Sequence, residues 1–334
     1  MGTTILGIES SCDETSAAIC QDGKVINNII ATQSVHEQYG GVVPELASRA
    51  HQQNIVPVVQ EALTRANLNA SDLDAIAYTQ GPGLLGALLV GSSFAKAMAF
   101  GLDIPIITVN HMMAHVLAHF IEEPVPPFPF LCLTVSGGHT QIVRVDSHAE
   151  MSIIGQTRDD AAGEAFDKGA KLLGLTYPGG PLVDKHAALG DPLRFKFAES
   201  DMPALDYSFS GIKTSLLYFL RDQLKTNQHF IQENLNDLCA SYQRAIINML
   251  VHKLKKAAKE TGIKHLAIAG GVSANQGLQT RLLEESESLG WKLFIPRLEY
   301  CTDNAAMIAI SGYYKYIGGK FDSLRESPLP RMSF

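Results

Sequence analysis

Apolar positions recur along the chain with two periods, and their order predicts an α/β protein whose pattern runs once and then starts again. Thr3–Ile8 and Thr15–Cys20 are apolar runs of strand length, and Lys24–Thr32 follows the Asp22-Gly23 turn. Together they predict a three-stranded antiparallel meander. Glu45–Ala66 carries Leu46, Ile55, Val58, Val59, Ala62 and Leu63 along one stripe, which predicts a long helix. A buried strand over Ala75–Thr79 is broken by Gly81-Pro82-Gly83. A largely apolar helix over Leu84–Phe100 follows, then a strand over Ile104–Val109, and His111 opens the next helix.

The second cycle has the same opening. Strands are predicted over Phe130–Val135, Gln141–Val145 and Met151–Gly155, with Ser136-Gly137-Gly138-His139-Thr140 turning the first into the second. Helices are predicted over Glu164–Leu173, over Ile231–Thr261 as one or two segments, and over Gln276–Leu289. His265–Ala269 reads as a buried strand, and Asp303 opens a last apolar helix to about Tyr316. The two halves share little residue identity, so the repeat is one of structure. The Pro-rich stretch Glu122–Pro129 is the best linker candidate.

A chain of 334 residues fits two domains. The expected division is residues 1–110, completed by about 304–334, and residues 111–303, with a ligand cleft between them. Apolar residues make up 46%, enough for a substantial core, and charged residues only 18%, which excludes a disordered or coiled-coil chain. The formal net charge is −7, from 27 basic and 34 acidic residues, so a strongly basic nucleic-acid footprint is absent and RNA contact would need a local patch or a partner. Five cysteines with no Cys-x-x-Cys argue against a disulfide scaffold or zinc cluster and for reduced thiols in a cytoplasmic protein. No secretory leader is expected, and no segment approaches the roughly 20 apolar residues of a membrane span.

His111 and His115 are one helical turn apart and so share a face. They can grip one cation, with a carboxylate and a substrate completing its shell, or they can be two polar residues on a surface helix. Two His and one carboxylate suit Fe(II) or Zn(II). Asp303 is a candidate third ligand, although Asp at a helix start is also a common cap. Met112 stands where a His-Glu-x-x-His protease keeps its base, which disfavours that chemistry. Glu9, Asp13 and Glu14 cluster at the first turn, either as a solvated acidic turn or as cleft-facing groups for metal-bound water or amine activation.

Three glycine turns suggest a nucleotide site: Ser136-Gly137-Gly138, the loop Tyr177-Pro178-Gly179-Gly180-Pro181 with Asp184 beyond it, and Gly270-Gly271-Val272-Ser273-Ala274-Asn275 between a strand and a helix. Each is also explained by turn geometry alone. Glu164 and Asp167 sit near the start of a helix, where its dipole favours acids. Lys253, Lys255, Lys256, Lys259 and Lys264 read as a solvated helix face or, less simply, as an RNA-backbone patch.

The motifs taken together resemble the TsaD family. They are Gly7-Ile8-Glu9-Ser10-Ser11-Cys12-Asp13-Glu14-Thr15, Gly40-Gly41-Val42-Val43-Pro44-Glu45-Leu46-Ala47-Ser48-Arg49, Gly81-Pro82-Gly83-Leu84, Asn110-His111-Met112 through His115 and Val135-Ser136-Gly137-Gly138-His139-Thr140. Ala162-Gly163-Glu164-Ala165-Phe166-Asp167-Lys168, Tyr177 to Pro181, Ala269 to Asn275 and Cys301-Thr302-Asp303-Asn304 complete the set, in family order across nearly the whole chain. The resemblance implies the two-domain actin/sugar-kinase/heat-shock-protein-70 (ASKHA) fold. It implies transfer of a threonylcarbamoyl group from threonylcarbamoyl-AMP to N6 of adenosine 37 in tRNAs reading codons that begin with A.

Carried over by motif, His111, His115 and Asp303 resemble the metal ligands, for iron or else zinc. Thr134, Val135, Ser136, Gly137, Gly138, Asp167, Gly180, Asp184 and Asn275 resemble donor-binding positions, where ATP is a further candidate. Asp13 resembles an acid essential to the transfer, and His119 has no counterpart role. The implied partners are tRNA, a TsaB-like subunit, a TsaE-like ATPase and a TsaC-like enzyme that makes the donor, with no membrane. The rival expectations are a small-molecule kinase of the same fold and a nucleotide-switch binding protein.

Overall fold

The computed structural model describes every residue except 1, 34, 35, 37, 38 and 40, so Gly40 of the second motif lies outside the described residues. In chain order the first elements are β1 (Thr4–Glu9), β2 (Thr15–Gln21), β3 (Lys24–Ala31), α1 (Pro44–Ala66), β4 (Ala75–Gly81), α2 (Leu85–Leu102), β5 (Ile106–Asn110) and α3 (His111–Leu117). Then come β6 (Phe130–Val135), β7 (Thr140–Val145), β8 (Met151–Gln156), α4 (Ala162–Leu172), α5 (Gly179–Ala187), α6 (Ser210–Leu224) and α7 (Phe230–Thr261). The chain closes with β9 (His265–Ala269), α8 (Gln276–Leu289), β10 (Lys292–Phe294), α9 (Leu298–Cys301) and α10 (Ala305–Ile317).

Two compact units result, residues 1–125 with 296–334, and residues 126–295. In the first, the sheet order is β3-β2-β1-β4-β5. β1 pairs antiparallel with β2 and parallel with β4. All six β1 residues are buried, because helices cover both faces. Leu6 and Ile8 face a cluster with Ile55, Val58, Val59 and Ala62 of α1. On the other face α10 comes so close that a Cβ at Gly7 would stand 2.6 Å from Ala305 O and from Ala309 N. Glycine at that point is what lets helix and strand backbones meet.

The second unit repeats the plan as β10-β9-β6-β7-β8, with β6 antiparallel to β7 and parallel to β9. Its core joins Leu131, Leu133, Val135 and Ile142 of the sheet to Phe166, Ile212, Leu216, Tyr242, Ile246 and Leu250 of the helices.

The division differs from the one expected at residues 110 and 303. The helix α3 follows β5 through Asn110 without a break and packs against α10, so α3 and Asp303 both belong to the first unit. The chain leaves that unit only at the proline-rich stretch, between Val125 and Pro126. The segment read as a rigid loop around Gly179 is the start of α5. α6 and β10 had no expectation attached. α7, expected as one or two segments, is two helical stretches joined across a kink at Asn234 (φ −122°, ψ 16°). α2 also departs from the expectation about membrane-length segments. Its 18 residues have a mean hydropathy of 1.5, enough to cross a membrane by length and composition. Here Ala87, Leu88, Gly91, Ser92, Ala95 and Ala99 form its buried face. All five cysteines are free.

Candidate functional site

The first unit assembles a compact cluster of imidazoles and carboxylates. Asn110 ends β5 and caps α3, its side-chain oxygen accepting from Met112 N at 2.9 Å and Met113 N at 3.1 Å. The cap fixes the first turn of a seven-residue helix, and with it the direction of His111 and, one turn on, His115. Their ring centroids are 4.7 Å apart at an interplanar angle of 87°. Asp303 arrives from the link between α9 and α10. It does not cap α10. Asn304 does, accepting from Met307 N at 3.0 Å, which leaves the Asp303 carboxylate to the histidines.

Asp303 Oδ1 is 3.1 Å from His115 Nε2 and 3.4 Å from His111 Nε2. The three ligand atoms lie within 4.8 Å of one another. The His115 side chain is 1% exposed, His111 10% and Asp303 23%, so the cluster opens on the carboxylate side. Burial would lower the His111 pKa, but the charges and hydrogen bonds of Asp303 and Glu9 outweigh it and hold it well above the usual imidazole range. Burial would likewise raise Asp303, yet His111 and His115 hold it well below the usual carboxylate range. The donor set of two nitrogens and one oxygen fits a divalent metal ion.

The β1–β2 turn adds more acid. The sequence leaves Glu9 either in a solvated acidic turn or facing a cleft. It is instead fully buried, with Oε2 3.0 Å from His111 Nδ1. Asp13 and Glu14 are half-buried. Burial pushes Glu14 up to about 9, helped by the charges of Asp303 and Asp13 and a hydrogen bond with Asp13. Burial, with Asp13 and Asp303 nearby, also pushes the Cys12 thiol up. His51 of α1, which no sequence pattern singled out, pins this turn. Its Nε2 is 3.0 Å from Cys12 O and its Nδ1 2.7 Å from Thr15 Oγ1. His119 is buried on a short helical turn after α3.

The second unit brings the three glycine turns together. In the β6–β7 turn, Ser136 N donates to His139 O at 2.8 Å, and Gly137 and Gly138 are exposed with open space above them. Gly163, at the start of α4, donates to Ser136 O at 3.2 Å. Asp167, one turn on, accepts from Gly179 N at 2.8 Å and Gly180 N at 3.3 Å, and so holds the first turn of α5. Burial raises the Asp167 pKa, against these two donors.

Asp184 of α5 accepts from Gln276 N at 2.8 Å and Gly277 N at 3.3 Å at the start of α8. Asn275 caps α8 and donates to Gln243 Oε1 at 2.7 Å, while Gln243 Nε2 donates to Asp184 at 2.9 Å. The ring closes at Gly270. Its φ is +86°, and a Cβ there would lie 2.5 Å from Val135 O. Asp167, Asp184 and Asn275 thus set helix starts around the glycine turns. Gln243, a lone amide in the apolar stripe of α7, is the member that sequence reasoning missed. Thr134 and Val135, expected donor-binding positions, are 0% exposed, backbone included.

Lys255, Lys256, Lys259, Lys264 and Arg281 line a separate groove of about 930 Å³ with Trp291. It lies at the start of β9, whereas the Gly270–Asn275 turn follows its end, and it shares no residue with either cluster. Lys253 is not part of a solvated face. It is 3% exposed and pairs with Asp201 at 2.8 Å.

The family model described as TsaD, tRNA N6-adenosine threonylcarbamoyltransferase, matches residues 24–310. A protein of that name from Cytophaga hutchinsonii is 59% identical over 332 residues, covering 99% of this chain and 97% of the relative. Those from Christiangramia forsetii and Porphyromonas gingivalis are 58% and 57% identical, with at least 98% of each chain covered. Among solved structures, full-length HypF in a phosphate- and nucleotide-bound form matches with a TM-score of 0.63 at 14% identity, over 96% of this chain and 47% of HypF. HypF from T. kodakarensis gives 0.62 at 14%, over 98% and 50%. The chain spans about half the length of these two structures. At that identity the likeness bears on fold alone, and it agrees with the two-domain ASKHA architecture.

Proposed function

The chain belongs to the TsaD family of tRNA N6-adenosine threonylcarbamoyltransferases, and from that premise we propose that it moves a threonylcarbamoyl group from threonylcarbamoyl-AMP to N6 of adenosine 37 in tRNAs reading codons that begin with A. The observation that carries this reading is the 59% identity to a curated relative of that name over 99% of the chain. The donor is a mixed anhydride whose carbonyl carbon is already activated. The adenosine N6 attacks that carbon, the carbon–oxygen bond to the phosphate breaks, AMP leaves and N6 loses a proton.

N6 is a weak nucleophile because its lone pair is shared with the purine ring, so placement and proton removal have to supply the rate. Backbone N–H groups of Gly137 and Gly138 are suited to hold the phosphate, since open space lies above both glycines, while the Ser136 N–H closes the turn onto His139 O. Asp13 is suited to orient the amine and take its proton. His111, His115 and Asp303 would hold a divalent ion, iron or zinc, which when bound supplies positive charge for developing negative charge on oxygen. Asp167, Asp184 and Asn275 act by fixing the helix starts around the donor.

With a net charge of −7 the chain is poorly suited to hold RNA by itself. The reading therefore includes a TsaB-like subunit, a TsaE-like ATPase and a separate TsaC-like donor synthase, all acting in the cytoplasm. Mass analysis of nucleosides from tRNA incubated with this protein, those helpers, threonine, bicarbonate and ATP tests it. Threonylcarbamoyladenosine that forms only when this chain is present is the expected result. Unmodified adenosine 37 with every component active would refute the assignment.

A further inference from the structure

We propose that Glu9 is the positioning residue of the metal centre: its carboxylate holds the outer ring nitrogen of His111 and so decides which nitrogen that histidine offers to a divalent cation. The inference rests on the reading of His111, His115 and Asp303 as ligands, and adds what orients them.

Glu9 is the last residue of β1 and is 0% exposed. A buried carboxylate is costly unless its lone pairs are met by donors. Three donors meet this one. Ser11 N donates to Oε1, Thr79 Oγ1 donates to Oε2 at 2.7 Å, and His111 Nδ1 lies 3.0 Å from the same Oε2. The sheet sets this geometry. Ile8 and Tyr78 are partners in the parallel β1–β4 register, so Glu9 and Thr79, one residue on in each strand, are neighbours across it. The hydroxyl of Thr79 fixes one carboxylate oxygen, and that oxygen fixes the ring.

The consequence for His111 follows from proton placement. With the proton on Nδ1, the ring donates to Glu9 and its Nε2 lone pair points to the side where Asp303 Oδ1 lies, 3.4 Å away. With a cation on the Asp303 side, the other tautomer would protonate the nitrogen that has to ligate it and turn the Nδ1 lone pair onto the Glu9 carboxylate at 3.0 Å, which is repulsive. Ser11 Oγ, 3.3 Å from Nδ1, can only assist the first arrangement or donate weakly in the second. His115 is the contrast. Its Nε2 also meets Asp303, but its Nδ1 is buried and has no hydrogen-bond partner among the described residues. The support behind the centre is therefore one-sided, through His111. Groups in this role commonly change metal affinity by about 10- to 100-fold when removed.

The test uses the purified full chain with Zn2+ as probe, its dissociation constant measured by chelator competition. Glu9→Leu removes the acceptor at similar volume, Glu9→Gln keeps a neutral acceptor, and Thr79→Val frees the carboxylate. Expected are a roughly 10- to 100-fold weaker dissociation constant for Glu9→Leu and partial rescue in Glu9→Gln. Long-range proton–nitrogen spectra of the zinc-loaded protein should show His111 ligating through Nε2, with an exchange-protected Nδ1–H that shifts in Thr79→Val. A purely structural role would lower the melting temperature and leave both readouts unmoved. If Glu9→Leu fails to fold, the other two variants decide. Unchanged Zn2+ affinity and an unmoved Nδ1–H in folded variants would overturn the inference while the ligand reading stood. A wild-type chain that binds no divalent cation would sink both.

Discussion

Replacing Gly163 with alanine should impair the proposed donor site and leave the metal centre as it is. A Cβ at Gly163 would lie 2.5 Å from Ser136 O and 2.8 Å from both Gly137 N and Ser136 C, all of them backbone atoms that cannot swing aside. Ordinary contact begins at 3.4 Å, so α4 and the β6–β7 turn must part by about 0.9 Å along the shortest line (3.4 minus 2.5). That movement stretches the Gly163 N to Ser136 O hydrogen bond, already 3.2 Å, beyond bonding distance. Overpacking costs about 1–3 kcal/mol and the lost bond about 1 kcal/mol, against which the better helix propensity of alanine returns about 1 kcal/mol.

The larger effect falls on chemistry, because a displacement of about 1 Å in a positioning element can cost on the order of 100-fold in rate. AMP binding by calorimetry and single-turnover transfer to tRNA should both fall by about that factor, with Zn2+ affinity unchanged within about twofold. Gly137→Ala is the control. Nothing lies within 4 Å of its Cβ, so the fold should be unaffected while a methyl group enters the space assigned to the donor. Wild-type AMP affinity in both folded variants would refute the placement of the donor over this turn.

His111→Ala with His115→Ala should remove stoichiometric divalent metal and transfer activity together, and full activity in the metal-free double variant would defeat the role given to the centre. Asn110→Ala strips the cap from α3 and should cost about 1 kcal/mol of stability, seen as a lower melting temperature, and weaken Zn2+ binding. Glu14 carries its proton in the folded metal-free protein up to about pH 9, whereas unfolded it ionises at the usual 4.5. Its contribution to stability is therefore complete below that lower value and is lost as pH rises toward 9. Glu14→Gln should melt higher than wild type at pH 8 and show little difference at pH 4. Parallel melting curves across that range would contradict the burial of this carboxyl.

Much of this arrangement was legible in the sequence, for reasons that differ by element. Strands such as Thr4–Glu9 and Phe130–Val135 stand out because burial on both faces makes them continuously apolar. The spacing of His111 and His115 put both on one helix face without any tertiary knowledge. Asp303 was ambiguous, since an acid before a helix is usually its cap. Only the structure shows Asn304 taking that role. α5 escaped notice because a Tyr-Pro-Gly-Gly-Pro run reads as a breaker, and the bonds from Gly179 and Gly180 to Asp167, twelve and thirteen residues away, are what start a helix there. Gln243 and the partner of Glu9 were invisible for the same reason. Their significance lies in contacts 32 and 102 residues distant, which no local pattern encodes.

The duplicated topology explains why the halves share a plan yet hardly any residues. The β1–β2 turn and the β6–β7 turn occupy the same place in their sheets, each following the strand that is antiparallel to one neighbour and parallel to the other. In the first unit that place holds Glu9, Asp13 and Glu14, an acidic turn beside two imidazoles, a donor set that suits a cation. In the second it holds Gly137 and Gly138, exposed glycines with open space above them, a turn whose chemistry suits an anion. One sheet order thus carries turns suited to opposite charges, and the side chains at this turn have to diverge for that.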